Sequence, residues 1–386
     1  MMTANRRTIM AGAGAGLAAA YGLGSGARAD AAQSQRKLGP QRKLGYAIVG
    51  LGYYATQQIM PQFRDCEFAR LTALVSGTPE KLERYGAEYG IPATHRYSYD
   101  DYDSIRDNPD IDIVYVVLPN AMHAEYSIRA AQAGKHVMCE KPMAVSAAEC
   151  EAMIAACRKA GTKLMIGYRS QFEPHNLHAM ALAQSGDLGP TQIITSEHGF
   201  YAQPNQWRLE RPMSGGGSLM DIGIYSLQAA RYLAGEEPVE VTAMESTDRS
   251  DPRFASVEDR IDFVLRFPSG IMASCVSSYS SNHNNFRLHG TEGWLRAEPA
   301  TAYTGHRLWV DRDGQTQEIN LPPPDKNQFA AQLDHLPQAI MAGTQPRASG
   351  EEGWRDLSII EAIYRSAREG RAIRLPETLA AGPAGA

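Results

Sequence analysis

Tyr46-Ala47-Ile48-Val49-Gly50-Leu51-Gly52-Tyr53-Tyr54-Ala55 is the stretch that decides the fold. A short apolar, β-branched run leads into two glycines one residue apart and then into a segment of helical pattern, which is the setting in which a G-x-G turn holds a dinucleotide. Gly50 allows the tight turn, and Gly52 lets backbone amides come close to a pyrophosphate. Ala55 stands where a third glycine often sits, small enough for the helix to pack on the strand. Tyr53 and Tyr54 belong to the same turn, and the helix N-terminus behind them favours the negative charge of phosphates. A strand–turn–helix anywhere can need glycine, so the weight of the motif comes from its position at the head of an alternating domain.

From that turn outward, apolar β-branched runs at residues 46–50, 71–75, 111–118, 136–139 and 163–166 alternate with helical segments. Such alternation predicts a parallel sheet covered by helices. Thr78-Pro79 places a cap before a first-turn proline, and Ser146-Ala147-Ala148-Glu149 has the form of a capping box before a helix over 150–160. After Tyr168 the texture changes. Alternating segments at 192–200, 239–245, 260–267, 271–278 and 286–289 predict a largely antiparallel sheet, with helices at 174–184, 222–233, 329–341 and 354–368. A chain of 386 residues exceeds what one core usually organises. The expected class is therefore α/β: an N-terminal Rossmann dinucleotide-binding domain over 45–168, a C-terminal α+β domain over 169–373, and a tail over 374–386.

The first residues belong to neither domain. Asn5-Arg6-Arg7-Thr8-Ile9-Met10 precedes a weakly apolar Ala/Gly run over 11–23, and Ala27-Arg28-Ala29 offers small residues at both cleavage-site positions. This predicts a twin-arginine signal peptide over 1–29, cleaved after Ala29, and a periplasmic protein; the run is too short and glycine-rich to span a membrane. Residues 30–44 are polar and basic and read as a flexible arm. Cleavage removes Arg6, Arg7 and Arg28 and no acid, leaving 35 basic against 43 acidic side chains, a net of −8. An acidic mature chain argues against nucleic acid or an anionic membrane as partner. Five cysteines without a C-x-x-C pair indicate neither a disulfide framework nor a zinc knuckle. His175 and His178 lack a carboxylate at ligand spacing, so no metal is expected.

The residues that carry chemistry fall at strand ends. NAD specificity usually places a carboxylate after the second strand to accept from the ribose 2′-hydroxyl; here that position reads Val75-Ser76-Gly77-Thr78, with Lys81 and Arg84 following. Small hydroxyls and cations suit a 2′-phosphate, so NADP is the expected cofactor. Leu118-Pro119-Asn120 and His123 follow a third strand, and Glu140-Lys141-Pro142 a fourth, all at the edge where such sheets bind ligands. Gly215-Gly216-Gly217-Ser218-Leu219-Met220-Asp221-Ile222-Gly223-Ile224-Tyr225 is a loop entering a helix, with Asp221 and Tyr225 four residues apart on one face. Oxidising an alcohol by hydride transfer needs a base for the hydroxyl proton. A tyrosine ordinarily titrates at about 10, so a neighbouring ammonium such as Lys141 must stabilise its phenolate. Spacing alone would leave Tyr225 a packing residue.

Gly50-Leu51-Gly52, Cys139-Glu140-Lys141-Pro142-Met143, Met165-Ile166-Gly167-Tyr168-Arg169, Gln206-Trp207-Arg208-Leu209 and the stretch from Gly215 to Tyr225 together resemble the glucose-fructose oxidoreductase family, within the wider Gfo/Idh/MocA group. The likeness covers residues 45–371. It implies a second domain with an open-faced sheet used in forming a homo-oligomer, tightly held NADP, and ping-pong chemistry on small sugars: glucose oxidised at C1 to its lactone, then fructose reduced to sorbitol. It implies Tyr225 as acid/base with Lys141 and Asp221 assisting, and Ser76 and Lys81 at the 2′-phosphate. Glu140, Tyr168, Arg169, Trp207 and Arg208 match positions lining cofactor and sugar. Members that never release NADP carry a longer, proline-rich arm over the nucleotide, whereas residues 30–44 contain one proline, Pro40. An aldose dehydrogenase or aldose–aldose oxidoreductase with exchangeable NADP is therefore the alternative, and a dimer stands beside a tetramer. A non-catalytic NADP-binding protein would not be expected to keep Lys141, Asp221 and Tyr225 together.

Overall fold

The computed structural model describes residues 42–381; the expected signal peptide over 1–29, nearly all of the expected arm and residues 382–386 lie outside them. Among the described residues no helix is long and apolar enough to cross a membrane.

Six strands, β1 (Leu44–Val49), β2 (Ala69–Val75), β3 (Arg96–Tyr97), β4 (Ile113–Val116), β5 (His136–Cys139) and β6 (Leu164–Ile166), form one parallel sheet in the order β3-β2-β1-β4-β5-β6. The order reverses between β1 and β4, which opens a crevice at the carboxyl edge there. Helices Pro79–Glu88, His123–Gln132 and Ala147–Ala160 make crossovers. Tyr46, Ala47, Ile48 and Val49 are all fully buried although successive side chains point to opposite faces, because both faces of the sheet are covered.

Local details differ from the sequence expectation in instructive ways. Beyond Gly52 the chain forms a π-helical turn (Tyr54–Ile59) and then a 3₁₀ segment (Met60–Asp65) rather than an α-helix. Pro61 sits at the junction and has no N–H to give back to the preceding turn. Thr78 precedes its helix but its side chain caps nothing; its own N–H donates to Ser76 Oγ at 3.1 Å. Ser146 does accept from Glu149 N at 3.3 Å, while Glu149 reaches Val145 N at 3.1 Å, a capping box displaced by one residue. β3, two residues long, is too short for any periodicity to reveal.

The second sheet has nine strands: β7 (Thr191–Gly199), β8 (Glu240–Ser246), β9 (Arg260–Arg266), β10 (Met272–Ser278), β11 (His283–Gly290), β12 (Gly293–Ala297), β13 (Leu308–Arg312), β14 (Gln315–Glu318) and β15 (Ile373–Arg374). It is antiparallel except where β7 pairs with β10. β12 to β15 were not expected, because short strands such as Gln-Thr-Gln-Glu in β14 carry no apolar alternation. Helices Ile224–Ala234 and Gly350–Glu369 pack on one face; Val241, Ile261, Phe263, Leu265 and Ala273 are buried beneath them. On the strands' other side Ile193, Met244 and Met272 are 51%, 74% and 51% exposed.

Helix Gln328–Ala342 returns to the first sheet. Leu333 O accepts from Tyr46 Oη at 2.8 Å, and Asp334 accepts from the N–H groups of Glu67, Phe68 and Ala69 at 2.8–3.0 Å. The helix thus covers the first sheet, although it follows most of the second sheet in the chain.

Candidate active site

The crevice between the sheets encloses about 1070 Å³, more than the roughly 300–1000 Å³ that holds one drug-sized ligand. Its first wall is the carboxyl edge of the parallel sheet. Gly50 turns there at φ +94°, and a Cβ on it would come within 2.3 Å of Val117 O, so only glycine fits between β1 and the end of β4. A Cβ on Gly52 would meet no protein atom within 4 Å: it would project into the crevice, in the space a pyrophosphate needs. Tyr53, 72% exposed, stands at the mouth, and Tyr54 lies deeper. Ser76, Gly77, Thr78 and Lys81 line the end of β2 with no carboxylate among them. Lys81 Nζ donates to Leu51 O at 3.0 Å, which ties its helix to the glycine turn and leaves two ammonium protons free.

Leu118 and Asn120 line the crevice past β4, Asn120 also donating to Ser214 O at 2.8 Å. His123 does not line it. The ring is buried, with Nδ1 2.8 Å from Pro142 O and Nε2 2.8 Å from Leu118 O, and braces the two strand-end loops against each other. The cofactor-contact expectation for His123 is corrected accordingly. Arg84 stacks on Tyr85 at 5.0 Å and Tyr168 is buried away from the crevice, so neither lines it.

The second wall carries the chemistry. Lys141 Nζ donates to both the main-chain oxygen of Asp221 and, at 3.0 Å, its Oδ1. The other carboxylate oxygen accepts from Arg208 Nε at 3.0 Å and Tyr279 Oη at 3.1 Å. Burial works against the charge of Asp221, yet Lys141 and Arg208 outweigh it and hold this carboxyl far below the usual range. Burial likewise works against the Lys141 ammonium, but Asp221 and Tyr225 raise its pKa, so it stays charged. Lys141 Nζ lies 5.1 Å from the centroid of the Tyr225 ring. Asp221 is therefore a fixed anion that aims a cation at Tyr225, not a proton carrier.

Asp221 sits in a π-helical turn (Leu219–Gly223) that precedes helix Ile224–Ala234, so the expected regular helix is broken between it and Tyr225, although both face the crevice. Buried Glu258 fixes that turn by accepting from Gly217 N, Leu219 N and Tyr364 Oη at 2.7, 3.0 and 2.8 Å. Glu140 also lines the crevice; burial raises its pKa, and its carboxylate accepts from Tyr115 Oη. Arg169, Trp207 and Arg208 line the same space. Sequence reasoning missed Tyr279, Thr301, Ala302 and Tyr303. Tyr279 comes from the end of β10 and Tyr303 from an irregular stretch, neither within a motif. Glu173 accepts from His175 Nδ1 at 2.9 Å, so His175 is held by a carboxylate two residues earlier.

Comparison with known proteins agrees with this architecture. Residues 44–168 match the oxidoreductase family, NAD-binding Rossmann fold, of the GFO/IDH/MocA group, and residues 176–296 match the GFO/IDH/MocA C-terminal domain. The solved structure of aldose-aldose oxidoreductase from Caulobacter crescentus, complexed with glycerol, is 61% identical, covers 86% of this chain and 100% of its own, and has a TM-score of 0.85. D-xylose 1-dehydrogenase [NADP(+)] of Haloarcula marismortui is 30% identical over 90% of this chain and 97% of that protein. The 1,5-anhydro-D-fructose reductase of Ensifer adhaerens is 28% identical over 86% of this chain and 98% of that protein. The chain belongs to the Gfo/Idh/MocA oxidoreductase family, with a dinucleotide-binding Rossmann domain and a mostly antiparallel second domain.

Proposed function

We propose that this protein is an NADP-dependent sugar oxidoreductase that oxidises one aldose at C1 to its lactone and reduces a second sugar to an alditol. The observation that carries this reading is the placing of Tyr225, with the Lys141 ammonium 5.1 Å from its ring centroid, in the same crevice as the Gly50–Gly52 turn. Ser76, Thr78 and Lys81, unaccompanied by a carboxylate, would hold the 2′-phosphate, and Gly52 leaves room for the pyrophosphate. When bound, the nicotinamide takes up a hydride from the first sugar and gives it to the second.

The chain's own residues handle the proton. The Tyr225 oxygen takes the proton of the C1 hydroxyl as the C1–H electron pair leaves, which turns the hemiacetal carbon into the lactone carbonyl. In the second half the same oxygen returns a proton to the oxygen of the sugar being reduced. Lys141, aimed by Asp221, stabilises the negative charge on Tyr225 between the two events. The 61% identity to an aldose-aldose oxidoreductase favours an aldose as the acceptor; fructose is the acceptor implied by the sequence resemblance. The Arg6-Arg7 signal supports export of the folded protein to the periplasm, and the exposed face of the nine-stranded sheet supports self-association through that face.

The test is product analysis of the mature chain given glucose with either xylose or fructose and no added nucleotide. Lactone and alditol in equal amounts from the aldose pair support the reading. Sorbitol formed from fructose in preference to xylitol would make the glucose–fructose pair correct. One-way oxidation only after NADP is supplied would make the protein an exchanging dehydrogenase.

A further inference from the structure

Arg169 lines the crevice just beyond β6, and the sequence likeness places it among ligands of cofactor and sugar. Its hydrogen bonds go elsewhere. Nη1 donates to Ala302 O at 3.0 Å and to Gln328 Oε1 at 2.8 Å, and Nη2 donates to Thr301 O at 2.6 Å. These bonds hold the guanidinium against two rings, its carbon 5.1 Å from the centroid of Tyr225 and 4.9 Å from that of Tyr303. The residue is 4% exposed.

Two of this fixed cation's five protons are left over, the second on Nη2 and the one on Nε. Nε–H is buried and has no well-formed partner, although Tyr225 is a side-chain hydrogen-bonding neighbour of the guanidinium. A buried donor left unpaired costs about 1–3 kcal/mol, and it becomes a strong donor once a nearby oxygen carries charge. Lys141, the other cation against the ring, spends two of its three protons on Asp221.

We propose that Arg169 acts in the proton-transfer step, its Nε–H being a donor held in readiness for the Tyr225 oxygen when that oxygen is negatively charged. The proposal rests on the reading of Tyr225 as the acid/base. The donor is preorganised: three other bonds fix it before the charge forms, so its gain is largest in the deprotonated state. Loop 301–303 thereby reaches the chemistry through Arg169.

The groups facing Tyr225 are Lys141, Arg169, Tyr54, Tyr303 and His198. Burial raises the pKa values of Tyr54 and Tyr303 and pushes His198 down to about 3, with Arg169 adding to the last effect. All three stay neutral through the working range, which leaves the two cations to respond to charge on Tyr225.

The experiment compares Arg169→Lys and Arg169→Gln with the natural chain for aldose oxidation between pH 5 and 10, alongside NADP affinity and thermal midpoint. Arg169→Lys keeps the charge and removes the directed N–H. It should lower kcat about 30-fold near pH 6.5, by the scale of losing one preorganised donor. The loss should shrink as pH rises toward 10, with sugar KM changed less than about 3-fold. Arg169→Gln should show the same shift, larger. If Arg169→Gln does not fold, Gln328→Met, which frees Nη1 from one anchor outside the crevice, should move the profile the same way by a smaller amount. A loss equal at every pH, or a raised KM with unchanged kcat, overturns the proposal. Tyr225→Phe, measured in parallel, separates the two failures: full turnover in that variant refutes the acid/base reading itself, whereas a dead Tyr225→Phe with unmoved Arg169 profiles refutes this inference alone.

Discussion

The two walls of the crevice are built by different means. The wall from the parallel sheet is largely backbone: Gly50 at a φ only glycine tolerates freely, Gly52 with open space beside it, and turns at the ends of β2 and β4. The second wall is made of side chains from stretches far apart in the chain, Lys141 and Arg169 reaching it from just past β5 and β6 and Arg208, Asp221, Tyr225 and Tyr303 from beyond the parallel sheet, held by ion pairs and ring contacts. A wall of backbone can recognise what all dinucleotides share, whereas a wall of side chains decides which proton moves. Substitutions in the first wall should therefore change nucleotide binding, and those in the second should change turnover with nucleotide still bound.

The sharpest test of the second wall is Asp221→Asn. It leaves the Lys141 and Arg208 cations without their shared counter-charge. Breaking a buried pair in this way costs about 3 kcal/mol, and the loosened Lys141 should lower kcat about 100-fold, within the range for an acid–base constellation. The pH behaviour follows from the direction of the shift. Because the folded-state carboxyl is held below its unfolded value, by Lys141 and Arg208 against the opposing effect of burial, the stabilisation is present above the unfolded value of about 3.9 and fades only as pH falls through the lower folded value. Thermal melts of the natural chain and the variant should consequently differ by a constant amount between pH 5 and 8. A difference that vanishes by pH 5 would show that Asp221 is not held as described.

The same contrast governs how much could be read from sequence. The parallel strands themselves, the glycine turn and the strand-end positions of Ser76, Asn120 and Lys141 follow from local patterns, because each lies within a few residues of a recognisable run. Tyr225 and Asp221 were found through a motif whose regular helix the structure replaces with a π-helical turn. His123 was misplaced because strand-end position says where a residue is, not which way its side chain faces. Tyr279, Glu258 and Tyr303 were invisible: their roles depend on partners 39 residues away or more, such as Asp221 for Tyr279, Tyr364 for Glu258 and Arg169 for Tyr303. No periodicity encodes a partner at that distance.

Gly52→Ala probes the first wall without disturbing the fold. An added Cβ meets no protein atom within 4 Å, and Gly52 is not at positive φ. The thermal midpoint of the nucleotide-free chain should stay within about 2 °C of the natural value, because a substitution that creates neither clash nor strain usually changes stability by less than 0.5 kcal/mol. Nucleotide affinity should fall about 10-fold, since the methyl group occupies space beside the phosphates. Titration by fluorescence quenching checks the affinity. Equal loss of stability and affinity would mean that the turn, and not the ligand, feels the methyl group.

The smallest effect, and the finest distinction within the first wall, belongs to Lys81→Ala. Two roles are open to its ammonium: the bond to Leu51 O at 3.0 Å supports the glycine turn, and its remaining protons face the end of β2 beside Ser76 and Thr78. The first role serves any dinucleotide; the second serves only one bearing a 2′-phosphate. Loss of a partly exposed charge contact of this kind is worth about 1 kcal/mol, a factor of about 5 in affinity. Measured side by side, NADP should weaken by that factor while NAD, lacking the phosphate, should hardly change. If both weaken equally, Lys81 acts through the turn, and selection for the phosphate rests on Ser76 and Thr78. If neither changes, Leu51 O is served by water in place of the ammonium, and preference for NADP comes from the absence of a carboxylate at the end of β2 alone.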